Sequence, residues 1–307
     1  MKKNILILGG AGFIGKNLVE ELKNDYDLIV FGRKENCFAG NNPLFYKGDF
    51  SESRDLEIIF GENKIDLVIH LISTTIPSIS NENMSFDVDS NLTGTINLLN
   101  LMKKYSVPKI IFVSSGGTIY GKINPSIDSV SENHPTNPIC SHGIIKLAIE
   151  KYILLYHHLY GIDYLILRVS NAYGENHASD RLGLINVALK KIINKQSVQI
   201  WGDGMVIRDY IYAKDCVSII RKLIEKGISN EIINVGSGIG HSINDILSII
   251  QKIAGDFNIE KSEMRNFDVP KIILNTNKLK SFIDFELTDI EVGIRNTYNW
   301  LKNKYGK

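Results

Sequence analysis

The chain has 307 residues, 44% hydrophobic and 22% charged, with 35 basic against 34 acidic side chains and a net charge of +1. Such a chain can bury one large core or two smaller ones, and its balanced charge excludes a broad electrostatic footprint for nucleic acid or an anionic membrane. Cys37, Cys140 and Cys216 are scattered and form no C-x-x-C pair, which fits free thiols in a reducing cytoplasm rather than a disulfide framework or a metal site. No stretch is long enough to span a membrane, and the apolar run after Lys2-Lys3 is too short for a signal peptide.

In chain order, Ile5-Leu6-Ile7-Leu8 predicts a strand, Gly9-Gly10-Ala11-Gly12-Phe13-Ile14-Gly15 a glycine turn, and the run carrying Leu18, Val19 and Leu22 a helix. Glycines at 9, 12 and 15 permit a tight turn, close approach of a pyrophosphate and close helix-strand packing, and the helix N-terminus offers free N–H groups to phosphate. The motif in that context predicts a dinucleotide-binding fold. Asp27–Phe31 reads as the second strand and is followed by Gly32-Arg33-Lys34. An Arg here accommodates the 2′-phosphate of NADP, whereas NAD-binding turns usually offer an acid to the ribose. The alternatives are a merely solvated strand end, or Glu35 reaching back to the ribose of NAD. Lys47-Gly48-Asp49-Phe50 follows a third strand and places Asp49 near an adenine.

Ile65–Ile72 is a buried parallel-strand run whose C-terminal end, at Leu71, opens onto the cofactor crevice, while His70 reads as a core histidine. Asn91 to Tyr105 has helical spacing, and Lys109–Val113 is the next strand. Alternating strands and helices predict an α/β fold, a right-handed doubly wound parallel sheet of Rossmann type.

After that strand come Ser114-Ser115-Gly116-Gly117-Thr118-Ile119-Tyr120-Gly121 and Pro138-Ile139-Cys140-Ser141-His142-Gly143-Ile144-Ile145-Lys146. With the glycine turn, these segments resemble the extended short-chain dehydrogenase/reductases, the group of nucleotide-sugar epimerases, dehydratases and ketoreductases that includes UDP-glucose 4-epimerase. The resemblance runs nearly end to end. Arg168–Gly174, Ile200–Gly204, Arg208-Asp209-Tyr210-Ile211-Tyr212, Ile233–Gly236 and Arg265-Asn266-Phe267-Asp268-Val269-Pro270 follow in family order.

The resemblance implies hydride exchange between NAD or NADP and C4 of a nucleotide-bound hexose, with a Tyr-x-x-x-Lys pair moving the hydroxyl proton. It places Gly9, Gly12, Phe13, Ile14, Gly15, Arg33, Asp49, Phe50, Leu71 and Lys146 at the cofactor, and Asn171, Arg208 and Arg265 at the sugar diphosphate. This chain departs from the pair: His142 stands at the tyrosine position and Gly116 at the usual Ser or Thr. The catalytic set becomes His142, Lys146, Ser115 and Thr118, the nearest substitute hydroxyl. A phenol beside Lys⁺ is a usable base, but an imidazolium there is disfavoured by like charge. Three functions follow: a C4 epimerase, an NADPH-dependent C4 ketoreductase, or a catalytically impaired nucleotide-sugar or NAD(P) binder. Sugar-nucleotide chemistry for surface polysaccharide is the setting the resemblance implies.

The helix after Ser141 is apolar over most of its circumference, so it must be covered on two sides. The resemblance implies a homodimer joined there by a four-helix bundle that also uses Asn91 to Tyr105. Beyond Gly174 regular βα alternation gives way to helical stretches such as Leu184 to Ile193 and Ile243 to Ile253. The expected division is residues 1–170 for dinucleotide binding, with return segments near 209–248, and 171–307 as a smaller α/β substrate-binding domain interleaved with the first.

Overall fold

Ile5 and Ile7 point to one side of the first strand, Leu6 and Leu8 to the other, and all four are fully buried. A strand apolar on both faces needs helices on both, and the chain supplies them in alternation. The computed structural model describes residues 2–38, 40, 42–77, 79–177, 179–263 and 269–306. The first part runs β1 (Asn4–Leu8), α1 (Phe13–Leu22), β2 (Asp27–Gly32), β3 (Leu44–Lys47), α2 (Ser53–Glu62), β4 (Leu67–His70), α3 (Met84–Asp87), a π-helical segment (Val88–Thr93), α4 (Gly94–Lys104), β5 (Lys109–Ser115), α5 (Ser141–Tyr160) and β6 (Asp163–Val169). There follow β7 (Asn171–Tyr173), α6 (Leu184–Ile193), β8 (Val198–Trp201), β9 (Ile207–Tyr212), α7 (Ala213–Glu225), β10 (Glu231–Val235), β11 (Gly240–Ser242), α8 (Ile243–Ala254), β12 (Ile259–Ser262), β13 (Lys271–Ile272), α9 (Asn277–Phe282) and α10 (Ile290–Tyr305).

Seven strands form the central sheet in the order β10-β6-β5-β4-β1-β2-β3, every pair parallel. This is the Rossmann-type doubly wound sheet the sequence predicts. The strand order reverses between β1 and β4, which opens a crevice at their C-terminal ends. On one face Leu18, Val19 and Leu22 of α1 join Val217, Ile220 and Leu223 of α7 over Ile5 and Ile7. On the other, Leu98, Leu99 and Met102 of α4 and Ile145, Ile149 and Ile153 of α5 pack with Leu6, Leu8 and Phe112.

The helix expected from Asn91 begins earlier, because α3, the π segment and α4 run on without a break from Met84. Its first turns bury Asp87, Ser90 and Asn91, which bond to one another and to a loop rather than to apolar neighbours. Apolar periodicity therefore cannot reveal them. Beyond β6, a smaller α/β unit forms around Leu189, Ile246, Ile250, Ile294 and Leu301, and α6 spans the run Leu184–Ile193 read from the sequence. It contains β9 flanked by β11 and β13, with β7 also on β9, and the separate pair β12-β8. Among the described residues no helix is long and apolar enough to cross a membrane.

Candidate active site

At the crevice the glycine turn is shaped by contact as much as by torsion. Gly9 has φ +82°, its N–H donates to the Phe31 carbonyl at 2.9 Å, and a Cβ at Gly15 would collide with the Gly9 carbonyl oxygen. Helix α1 thus sits directly on the turn. Its N-cap is Gly12, which has no side chain to cap the free N–H groups, and its first turn holds no acid. Such a terminus is built for an anion.

A cavity of about 890 Å³ starts at Gly9, Gly12, Phe13, Ile14 and Gly15, passes Leu71, Ser115, Thr118, His142 and Lys146, and reaches Asn171 and Arg208. Among the described residues, three of its buried polar atoms have no hydrogen-bond partner: Thr118 Oγ1, Ser170 Oγ and His177 Nδ1. Buried polar groups in folded proteins are nearly always paired, so these three are positions at which a bound ligand or water would supply partners. The His177 ring packs on Phe13 at 4.4 Å, beside the anion-binding terminus. The cradle and the orphaned groups together fit a dinucleotide with a second polar ligand next to it.

Lys146 and His142 lie on adjacent turns of α5, as their spacing predicts. Lys146 Nζ donates to the Val113 carbonyl at 3.0 Å and lies 4.7 Å over the Phe112 ring. Burial lowers its pKa to about 8, opposed by the negative charges of Glu150 and Asp87. The His142 imidazole is driven down to about 4, first by burial and then by the Lys146 ammonium, against the pull of Asp87 and a hydrogen bond to the Thr75 backbone. At neutral pH the pair is a largely charged ammonium beside a neutral imidazole, an arrangement that can accept a proton at His142.

Asn171 Nδ2 donates to the Asp209 carbonyl at 3.1 Å, and Arg208 Nη1 donates to the carbonyls of Ile207 at 2.9 Å and Val269 at 2.5 Å. Arg265 and the adjoining Asn266, Phe267 and Asp268 lie outside the described residues. Arg33, Asp49 and Phe50 are not brought into the cavity wall. Arg33 and Lys34 are exposed beyond β2, and Glu35 is paired with Lys47. The Asp49 carboxylate accepts from the Ser51 hydroxyl at 2.6 Å and from its N–H at 3.0 Å, which holds its pKa below the usual value. The Phe50 side chain is buried against His70, with ring centres 5.0 Å apart. His70 is itself enclosed, 3.0 Å from Thr95 Oγ1, and burial pushes its pKa well down.

The sequence reading did not single out Thr75, Asp87, Ser141, Ser170 or His177. Asp87 had one legible signal, its place four residues before Asn91, which puts both on one side of a helix. Ser141 stood within the segment quoted for His142 and Lys146. Ser170 stood within the quoted segment Arg168–Gly174, and Thr75 and His177 are loop residues without a pattern.

Residues 5–236 match the family described as NAD dependent epimerase/dehydratase. A relative from Methanocaldococcus jannaschii named putative UDP-glucose 4-epimerase is 38% identical over 97% of this chain and 98% of its own length. A dTDP-4-dehydro-6-deoxyglucose reductase from Escherichia coli is 31% identical over 96% of this chain and 93% of its own. Among solved structures, UDP-glucose 4-epimerase from Thermotoga maritima, determined with UDP-glucose, superimposes with a TM-score of 0.92 at 32% identity, covering 98% of this chain and 99% of the other.

Proposed function

The chain belongs to the NAD dependent epimerase/dehydratase family, and from that premise we propose that it is a C4 epimerase of a nucleotide-activated hexose, removing hydride from C4 and returning it to the opposite face. The observation that carries this reading is a single cavity holding the glycine cradle, Lys146, His142 and the unpartnered Thr118 hydroxyl. A bound nicotinamide supplies the hydride acceptor and donor.

The chain's residues do the rest. The α1 N-terminus holds the dinucleotide pyrophosphate, and the Lys146 ammonium adds positive charge where oxidation of C4 is favoured by it. Thr118 Oγ1 donates to an oxygen on the sugar, and a ring nitrogen of His142 takes the C4 hydroxyl proton and gives it back. Arg208, Asn171 and Arg265 grip the sugar diphosphate, for which a guanidinium fork is suited. The sheet through residue 170, with the return segments near 209–248, serves the dinucleotide, and the later helices and small sheets serve the sugar nucleotide.

The proposed assembly is a cytoplasmic homodimer. Ile144, Leu155 and Leu159 of α5 lie on an exposed face, and Met84 and Val88, one turn apart on the helix that leads into α4, lie on another. Two such pairs of helices would close into a four-helix bundle.

A second reading, an NADPH-dependent C4 ketoreductase, is favoured by Gly32-Arg33-Lys34 and by Glu35 being tied to Lys47 rather than offered to a ribose. One experiment separates the two: mass spectrometry of the nucleotide released on denaturation, paired with NMR of UDP-hexoses incubated with the enzyme. Retained NAD and interconversion of C4 epimers support the epimerase. An empty site, with NADPH consumed only on a 4-keto sugar, replaces it with the reductase.

A further inference from the structure

A tyrosine base and a histidine base need opposite help beside a lysine. The phenol becomes an anion and is aided by the ammonium; the imidazole becomes a cation and is opposed by it. A site with His142 in this place therefore needs a negative charge that the family pair does not. Asp87, only 1% exposed, supplies one.

Its carboxylate is held on both oxygens. Thr75 Oγ1 donates to Oδ1 at 2.6 Å, Asn91 Nδ2 donates to the same oxygen at 2.9 Å, and Ser141 Oγ donates to Oδ2 at 2.6 Å. Thr75 and Ser141 are the two residues through which this carboxylate reaches His142. Thr75 bonds Asp87 with its hydroxyl, and its backbone lies beside the imidazole, where it favours a protonated ring nitrogen. Ser141 precedes His142 at the start of α5, and the His142 N–H donates to Ser80 Oγ at 3.1 Å. The π segment Val88–Thr93 follows Asp87 directly, so that Asn91 bonds both Asp87 and Thr74, whose N–H donates back to Asn91 Oδ1 at 2.9 Å. Extra-residue turns of this kind often mark functional sites.

We propose that Asp87 is a positioning residue for proton transfer at His142: through Thr75 and Ser141 it holds the imidazole as one tautomer, with one ring nitrogen on the Thr75 backbone and the other left unprotonated toward the cavity. The inference rests on the reading of His142 as the group that takes the C4 hydroxyl proton. Around His142 the charged groups are Lys146 on α5 and Asp87 on α3, with the Cys140 thiol at the N-cap; around Lys146 they are Glu150, Asp87 and, behind it, the neutral His70. Asp87 is thus the carboxylate that acts on both members of the pair, whereas Glu150 acts on Lys146.

The test uses the full-length protein with isotopically labelled histidine, the His142 signals being assigned by their loss in His142→Gln. At neutral pH the ¹⁵N spectrum should show His142 as a single tautomer in the wild type and in Thr75→Ser, and as a changed or mixed one in Asp87→Asn and Thr75→Val. With a turned-over nucleotide hexose, Asp87→Asn should lower kcat about tenfold, part of the 10²–10⁴ that positioned acid-base catalysis contributes, with little change in KM. The acid limb of the kcat profile should move to lower pH, because removing a negative charge favours the neutral ring. A His142 tautomer identical in the wild type, Asp87→Asn and Thr75→Val overturns the inference. Should Asp87→Asn not fold, Thr75→Val against Thr75→Ser decides alone. A shifted tautomer in a protein that turns over no nucleotide hexose upholds Asp87 as the positioning residue of the ring and removes the epimerase reading instead.

Discussion

Glu150 lies one turn beyond Lys146 on α5, and its carboxylate serves two cations: it pairs with Arg168 at 2.8 Å, and it does more than any other neighbour to keep the Lys146 ammonium charged. Arg168 in turn donates to Tyr120 Oη at 3.1 Å, and Tyr120 donates to Asn234 Oδ1 at 2.7 Å. A buried polar chain therefore connects α5 to β6 and β10 beneath the cavity. Removing one partner leaves a buried charge without compensation, which costs about 3–5 kcal/mol. Glu150→Gln should lose stability on that scale in urea denaturation and lower the Lys146 pKa further. A loss under about 1 kcal/mol would show that the pair contributes little beyond what surface ion pairs do.

Acid should weaken the fold through its buried histidines. His142 and His177 titrate near 4, and burial holds His70 well below its ordinary value, while the unfolded chain takes up these protons near 6.5. Between those values the unfolded state binds more protons, so stability falls as pH drops from about 6.5 toward 4. Urea midpoints measured at stepwise lower pH should follow that slope, and His177→Asn should flatten it. An unchanged slope in His177→Asn would mean that this ring is not held neutral in the folded protein.

The sheet was legible because Ile5–Leu8, Asp27–Phe31 and Lys109–Val113 are apolar runs bounded by glycine or proline, a pattern set by burial on both faces. Leu184–Ile193 was legible for a related reason, its apolar residues recurring at helical spacing. His142 and Lys146 were singled out through the family resemblance, which could be matched in one sequence because the pair is local, one turn of one helix. Asp87, Thr75 and Ser141 were not, because hydrogen bonds between residues 12 and 54 positions apart leave no periodic trace. Phe50 shows the converse: a motif position placed it at the cofactor, but its ring fills the space over Gly94, where any Cβ would strike it.

Under the ketoreductase reading, Arg33 should discriminate between cofactors by contacting a 2′-phosphate. Loss of one charge-assisted bond of about 1.5–3 kcal/mol predicts at least a tenfold weaker NADPH affinity in Arg33→Ala, with NADH affinity little altered. Fluorescence titration of both cofactors into both proteins checks this. Preference for NADH in the wild type, or unaltered NADPH affinity in the variant, removes Arg33 from the site.

Arg208, the side chain assigned above to the sugar diphosphate, is braced against the Ile207 and Val269 carbonyls at the edge of the cavity. Arg208→Ala and Arg265→Ala should each weaken nucleotide-sugar binding roughly tenfold or more, leaving cofactor affinity intact. Arg208→Lys should recover only part of the loss, since an ammonium lacks the planar fork. Calorimetry with unaltered sugar-nucleotide affinity in both alanine variants would place the diphosphate elsewhere.

The last prediction concerns what His142 does in the natural sequence. Its ring is buried beside Lys146 and titrates near 4, so it is neutral and a weak base at physiological pH. If the histidine carries the proton, activity should fall toward acid as the ring is protonated, and His142→Phe should lose most of it, within the 10²–10⁴-fold that positioned acid-base catalysis contributes. His142→Tyr should then bring no comparable gain, because burial and the Asp87 carboxylate both oppose a phenolate here even as Lys146 favours it. A large gain in His142→Tyr would instead mark the natural site as impaired, with the phenol restoring the proton path. Turnover measured across pH for the three proteins, with several nucleotide hexoses, separates these outcomes. Equal activity in all three would show that neither ring moves the proton, and would pass the role to Thr118, whose hydroxyl lies unpartnered in the same cavity.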